Sequence, residues 1–131
     1  MQEVLKFFRE NPTFYLATVE GDQPRVRPFG AVAEFEGRLS LTTGNGKKVY
    51  AQLLKNPKIE LFGMDAQGTW LRVEAEAVAD DRREARKAML DQNPSLRDLY
   101  SEDDGVMAVL FLRNATAVFA SFTAEPKVVK F

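Results

Sequence analysis

The stretch Pro24–Tyr50, PRVRPFGAVAEFEGRLSLTTGNGKKVY, decides how this chain folds. Its first half alternates in character as a strand does, and Glu36-Gly37 suits a tight hairpin into RLSLTT. In that return strand Leu39 and Leu41 face one way, while Arg38, Ser40 and Thr42 face the other. The hairpin lays Arg38–Thr43 back along Pro28–Phe35 and carries TTGNGKK towards PRVRP. From about Gly46 to Asn56 the spacing of Val49, Tyr50, Leu53 and Leu54 predicts a helix, ended by Asn56-Pro57.

Working outward, residues 2–10 place Val4, Leu5 and Phe8 at helical spacing, and Asn11-Pro12 stops that run. TFYLATV then reads as a strand, with EGDQ as the loop before PRVRP. KIELFGM, DAQG and TWLRVEAEAVA predict another hairpin, in which Leu71, Val73, Ala75 and Ala77 oppose Arg72, Glu74 and Glu76. Residues 80–91 open with aspartates and hold Ala85, Ala88 and Met89 at helical spacing. After the turn-rich NPSLRDLYSEDDG, VMAVLFLR and ATAVFASF predict a last hairpin, reversing at Arg113-Asn114. Six or seven strands joined mostly by short hairpins, with two or three helices, predict a mainly β fold: an antiparallel barrel. The run Val106–Leu112 is apolar in succession, so both faces of its strand need cover. A helix or a second subunit supplies it, and a homodimer is the preferred expectation.

Composition narrows the function. The chain has 131 residues, 45% hydrophobic and 28% charged, which is ordinary for a folded protein and is read as a single domain over residues 1–131 without repeats. Its 18 basic and 19 acidic side chains leave a net charge of −1, so no global field draws in nucleic acid or an anionic bilayer. Cysteine is absent and the histidine count is 0, which excludes disulfides, thiol catalysis, Ser-His-Asp triads and the usual zinc sets. No secretory signal or membrane span is visible in MQEVLKFFRENP, and a cytoplasmic location is expected. An enzyme without His or Cys takes its reactive chemistry from a bound cofactor.

TTGNGKK gathers hydroxyls, flexible backbone and cations at a helix start, a setting for an anion. It is not a P-loop, because Lys48 follows Gly46-Lys47 and position 41 is Leu. It is not a dinucleotide fingerprint either, because Val49 stands where the third glycine belongs. Taken alone, the segment also fits a plain turn with solvated lysines. Arg25 and Arg27 shift the balance: two apart on a strand, they share a face while Val26 takes the other. Adjacent like charges cost energy unless an anion or acceptor relieves them. Pro28 has no N–H, which places the strand at an edge or bulge where a ligand reaches the backbone.

PRVRPFG, the hairpin, LTTGNGKKVYAQLLKNP, then WLRVEAEA and NPSLRDLY, in this order over nearly the whole chain, resemble the pyridoxamine 5′-phosphate oxidase-related, FMN-binding split β-barrel family. The resemblance implies a six-stranded antiparallel barrel that forms a homodimer, with FMN in clefts between the subunits. It implies that Arg25, Val26, Arg27 and Pro28 run beside the flavin ring and phosphate, the arginines meeting its anionic parts. Thr42 and Thr43 take the hydroxyl positions near the flavin, Lys47 and Lys48 the phosphate position, and Trp70 reaches the flavin from the partner subunit. Family members that oxidise pyridoxamine phosphate are longer and use a C-terminal histidine. This chain has none and ends in AEPKVVKF, so that substrate is not expected. The expectation is a flavoprotein oxidoreductase with no side chain assigned as acid or base and its small-molecule substrate or electron donor open. The alternatives are a non-catalytic flavin carrier or electron-transfer protein, or a relative that has exchanged FMN for a deazaflavin or haem.

Overall fold

The computed structural model describes all 131 residues, Met1–Phe131. Helix α1 (Gln2–Glu10) buries Val4, Leu5, Phe7 and Phe8 on one stripe. Asn11 ends it by donating both its backbone N–H and its side-chain amide to the Phe7 carbonyl, each at 2.9 Å. Strands β1 (Phe14–Glu20) and β2 (Gln23–Phe29) form one hairpin, β3 (Ala33–Phe35) and β4 (Arg38–Gly44) the next. At the second reversal Glu36 and Gly37 have φ of 52° and 75°, the paired left-handed conformation of a type I′ hairpin turn. Helix α2 (Lys48–Lys55) precedes the hairpin β5 (Lys58–Met64) and β6 (Trp70–Asp80). Helix α3 (Arg83–Gln92) and a 3-10 turn over Pro94–Asp98 lead to β7 (Met107–Ala120) and β8 (Lys127–Lys130).

All pairings are antiparallel, in the order β2-β1-β5-β6-β7-β4-β3, with β8 on β7. Strand accounts for 46% of the chain and helix for 24%, so the mainly β architecture is as expected. The strand count is eight rather than six. The surplus lies in β3 and β8, whose AEF and KVVK are too short to carry a legible period.

The expected hairpin at Arg113-Asn114 is absent: β7 runs unbroken for 14 residues. Asn114, at φ 52°, is left-handed and makes a bulge, because β7 stays paired with β6 on both sides of it. The register against β6 shifts between Glu74 and Glu76 beside it. On its other edge β7 changes partner here, from β4, whose last pair is Ser40 with Phe111, to β8, which joins at Thr116.

The main core joins Phe8, Phe14, Leu16, Leu39, Leu41, Leu61, Leu71 and Leu110 to Val49 and Leu53 of α2. Helix α1 lies so close to β5 that a Cβ on Gly63 would stand 3.1 Å from the Phe8 ring. A second cluster packs Ala85, Met89 and Leu90 of α3 on Met107 and Val109 of β7. Helix α3 therefore covers the second face of the first half of β7, and that apolar run does not require the second subunit expected for it. No helix is long and apolar enough to cross a membrane.

Candidate functional site

Strand β2 is an edge of the sheet, as its prolines suggest. Arg25 lies opposite Thr18 and Arg27 opposite Leu16, so both arginines share one face, while Val26 projects from the other and is 69% exposed. Their environments differ. Arg25 donates from Nε and Nη2 to Glu20 Oε1, at 3.2 and 2.9 Å. Arg27, half-buried, donates from Nη1 to the Leu16 carbonyl at 3.1 Å and to Thr18 Oγ1 at 2.8 Å, and from Nη2 to Gln52 Oε1 at 2.8 Å. No carboxylate pairs with it, and burial, followed by the neighbouring Arg25 charge, pulls it below the usual guanidinium value.

Gln52 ties this strand to α2. Its Oε1 also accepts from Thr18 Oγ1 at 2.6 Å, and its Nε2 donates to Glu20 Oε2 at 3.4 Å. Thr18 is 2% and Gln52 6% exposed, so the network is interior where it joins β1 to α2. Lys48 stands one helical turn before Gln52. The hydrogen bond from Arg25 is the main reason Glu20 sits below the usual carboxylate range, and the Lys48 charge adds to it. Arg25, Arg27 and Lys48 thus share the neighbourhood of Glu20 and Gln52, while the Lys47 side chain lies by Gly44.

The turn into α2 is held from outside. Asn45 donates its backbone N–H to the Val106 carbonyl at 2.8 Å and its side-chain amide to the Gly105 carbonyl at 2.9 Å. Asp104 accepts the N–H groups of Met107, Val106 and Ser101, bonds that fix this loop and hold the carboxyl below its usual value. Tyr100 Oη packs over Gly44, 3.4 Å from where a Cβ would stand. Lys47 is the N-cap of α2 and makes no side-chain capping bond, and the first turn has no acidic residue, unlike α1 with Glu3 and α3 with Glu84. Exposed cations at the positive end of a helix, with no side chain capping its first turn, suit an anion.

The remaining expected residues lie differently. Thr42 uses its hydroxyl to donate to the Ala108 carbonyl at 2.8 Å, and Thr43 is 4% exposed. Trp70 is not in either core cluster but on the outer sheet face, edge-on to Phe122 at 5.1 Å between ring centroids. Strands β1 and β5 separate it from Arg27 within the chain. Sequence reading missed Thr18, Glu20 and Gln52. A polar residue between Val49 and Leu53 on the buried face of α2, and a Thr continuing the inward row Phe14 and Leu16, were the available signals.

The model of the pyridoxamine 5′-phosphate oxidase family matches residues 1–122. The chain belongs to this family. It is similar over its full length to a NimC/NimA family protein from Clostridium acetobutylicum, at 46% identity and a TM-score of 0.97, spanning 92% of that chain. General Stress Protein 26 from Bacillus anthracis str. Sterne shares the fold at 16% identity and a TM-score of 0.78, with 99% of this chain and 97% of that one aligned. An F420 reductase shares it at 21% identity and a TM-score of 0.57, over 79% of this chain and 87% of that one. No curated protein sequence matches the chain.

Proposed function

We propose that this family member is an FMN-binding oxidoreductase, a homodimer with the flavin held between two copies. The observation that carries the reading is Arg27, a half-buried guanidinium bonded only to uncharged oxygens and lacking a carboxylate partner. A phosphate monoester of charge about −1.5 to −2 supplies that partner. Lys47 and Lys48 add point charges, and the α2 N–H groups add donors. Arg25, Val26 and Pro28 at the sheet edge border the ring, with Thr42 and Thr43 behind the turn. Trp70 meets the flavin from the partner copy.

Support for the dimer comes from the outer sheet face, where Tyr15, Val26, Met64 and Val128 are exposed, and from Phe122 in the turn after β7, 91% exposed. A second copy covers these apolar side chains. Bound FMN supplies hydride or electron transfer, while the chain binds and orients it. With a histidine count of 0 and no cysteine, the usual haem ligands are missing, and no side chain is assigned a proton.

The test is the purified protein. Yellow protein with flavin absorbance that bleaches on adding NADH or NADPH supports the oxidoreductase. Yellow protein indifferent to both supports the second reading, a flavin carrier. A deazaflavin spectrum replaces FMN in either reading, and colourless protein that cannot be loaded with FMN overturns both.

A further inference from the structure

We propose that Gln52 is a positioning residue that aims one edge of Arg27 at the phosphate of the bound flavin. The inference rests on the reading that Arg27 meets that phosphate. Gln52 lies on the buried face of α2 beside Val49 and Leu53, where an apolar side chain would pack without polar cost. Its Oε1 accepts from both Thr18 Oγ1 and Arg27 Nη2, at 2.6 and 2.8 Å. Arg27 also fixes which way the amide faces, because a flipped amide would set its NH2 group against a guanidinium N–H.

The consequence lies in which donors remain. Nη1 of Arg27 serves the Leu16 carbonyl and the Thr18 hydroxyl, and Nη2 serves Gln52. These bonds pin the end of the guanidinium against β1 and α2. Nε–H and the second Nη2–H, which share the side edge, have no protein partner and form a fork for two oxygens of one anion. The carboxylate beside Gln52 is taken by the other arginine. Gln52 Nε2 holds Glu20 Oε2 at 3.4 Å while Glu20 Oε1 takes Arg25 at 2.9 Å, so the neighbouring carboxylate serves Arg25 and leaves Arg27 open.

The test compares FMN with riboflavin, which lacks the phosphate. Dissociation constants for both flavins, read by fluorescence quenching at fixed salt, and melting temperatures are measured for wild type, Gln52→Met, Thr18→Val and Arg27→Ala. Gln52→Met keeps the length and removes the acceptor, and is expected to weaken FMN about tenfold while changing riboflavin less than about twofold. Thr18→Val weakens FMN selectively by about threefold, and decides the matter if Gln52→Met does not fold. Equal losses for both flavins, or unchanged FMN affinity, would mean a merely structural role and overturn the proposal. If Arg27→Ala alone loses the preference for FMN, the Gln52 inference falls and the phosphate site stands. Wild type that binds neither flavin overturns the site reading and, with it, this inference.

Discussion

Helices α2 and α3 start alike, each with a cation at the N-cap and another at the first residue: Lys47-Lys48 in one, Arg82-Arg83 in the other. Neither N-cap side chain makes a capping bond, and both pairs oppose the helix dipole. Helix α3 resolves this within the chain. Arg82 donates to Asp80 Oδ2 at 2.9 Å and to Glu36 Oε1 at 2.6 Å, and Arg83 to Asp103 at 2.9 Å. These bonds hold both arginines above the usual guanidinium value and Asp80 and Asp103 below the usual carboxylate range. Helix α2 has no such answer, since Glu20, the carboxylate that feels Lys48, is bonded to Arg25. Density of cations is therefore not what marks a ligand site here. What sets the proposed site apart is a half-buried arginine and a helix start whose cations have no carboxylate of their own.

The comparison breaks first under a double substitution. Arg27→Ala with Lys48→Ala removes two charge-assisted contacts to the proposed phosphate and is expected to weaken FMN on the order of a hundredfold or more, with the fold retained. Titration calorimetry with FMN, alongside a circular dichroism melt, measures both. An unchanged FMN affinity removes the α2 and β2 site.

What could be read in advance was local. The Glu36-Gly37 reversal, the shared face of Arg25 and Arg27 and the stop at Asn56-Pro57 each depend on residues within one or two elements. What could not be read depends on pairings distant in sequence. The Ala108 carbonyl that takes the Thr42 hydroxyl arrives only through the β4 and β7 register. The cover over Met107 and Val109 comes from α3, and the partner exchange along β7 makes Asn114 a bulge rather than a turn. In the site, like charge between Arg25 and Arg27 suggested an anion for both. The β1–β2 register instead brings Glu20 within 2.9 Å of Arg25 and leaves Arg27 alone.

Acid sharpens the contrast next. Asp91, Glu102 and Asp103 are held below their usual values, first of all by side-chain bonds from Lys87, Arg97 and Arg83 respectively. A carboxylate with a depressed folded value stabilises the fold fully above its unfolded value, and that contribution is lost as pH falls through the folded one. Unfolded Asp and Glu titrate near about 3.9 and 4.3, so the melting temperature should hold steady between neutrality and about pH 5 and fall below about pH 4. Arg83→Gln with Arg97→Gln should flatten that acid limb, whereas Lys47→Gln should leave its shape unchanged. Identical acid limbs in all three proteins would mean that the α3 ion pairs do not set it.

The smallest effect is also the most discriminating. Lys47 has φ −81° and ψ 149°, the extended geometry in which an N-cap aspartate accepts first-turn N–H groups. Lys47→Asp should therefore stabilise the flavin-free protein by about 0.5–1 kcal/mol, a rise in melting temperature of about 3 °C, because it both caps α2 and reverses a charge opposed to its dipole. The same aspartate takes the N–H groups proposed for the phosphate, so FMN binding should weaken in the variant that is more stable. The counterpart Arg82→Asp should bring no such gain, since it breaks the bonds to Asp80 and Glu36. If Lys47→Asp stabilises the protein and keeps full FMN affinity, the α2 terminus is an ordinary uncapped helix end, and the phosphate site contracts to Arg27 and its neighbours on β2.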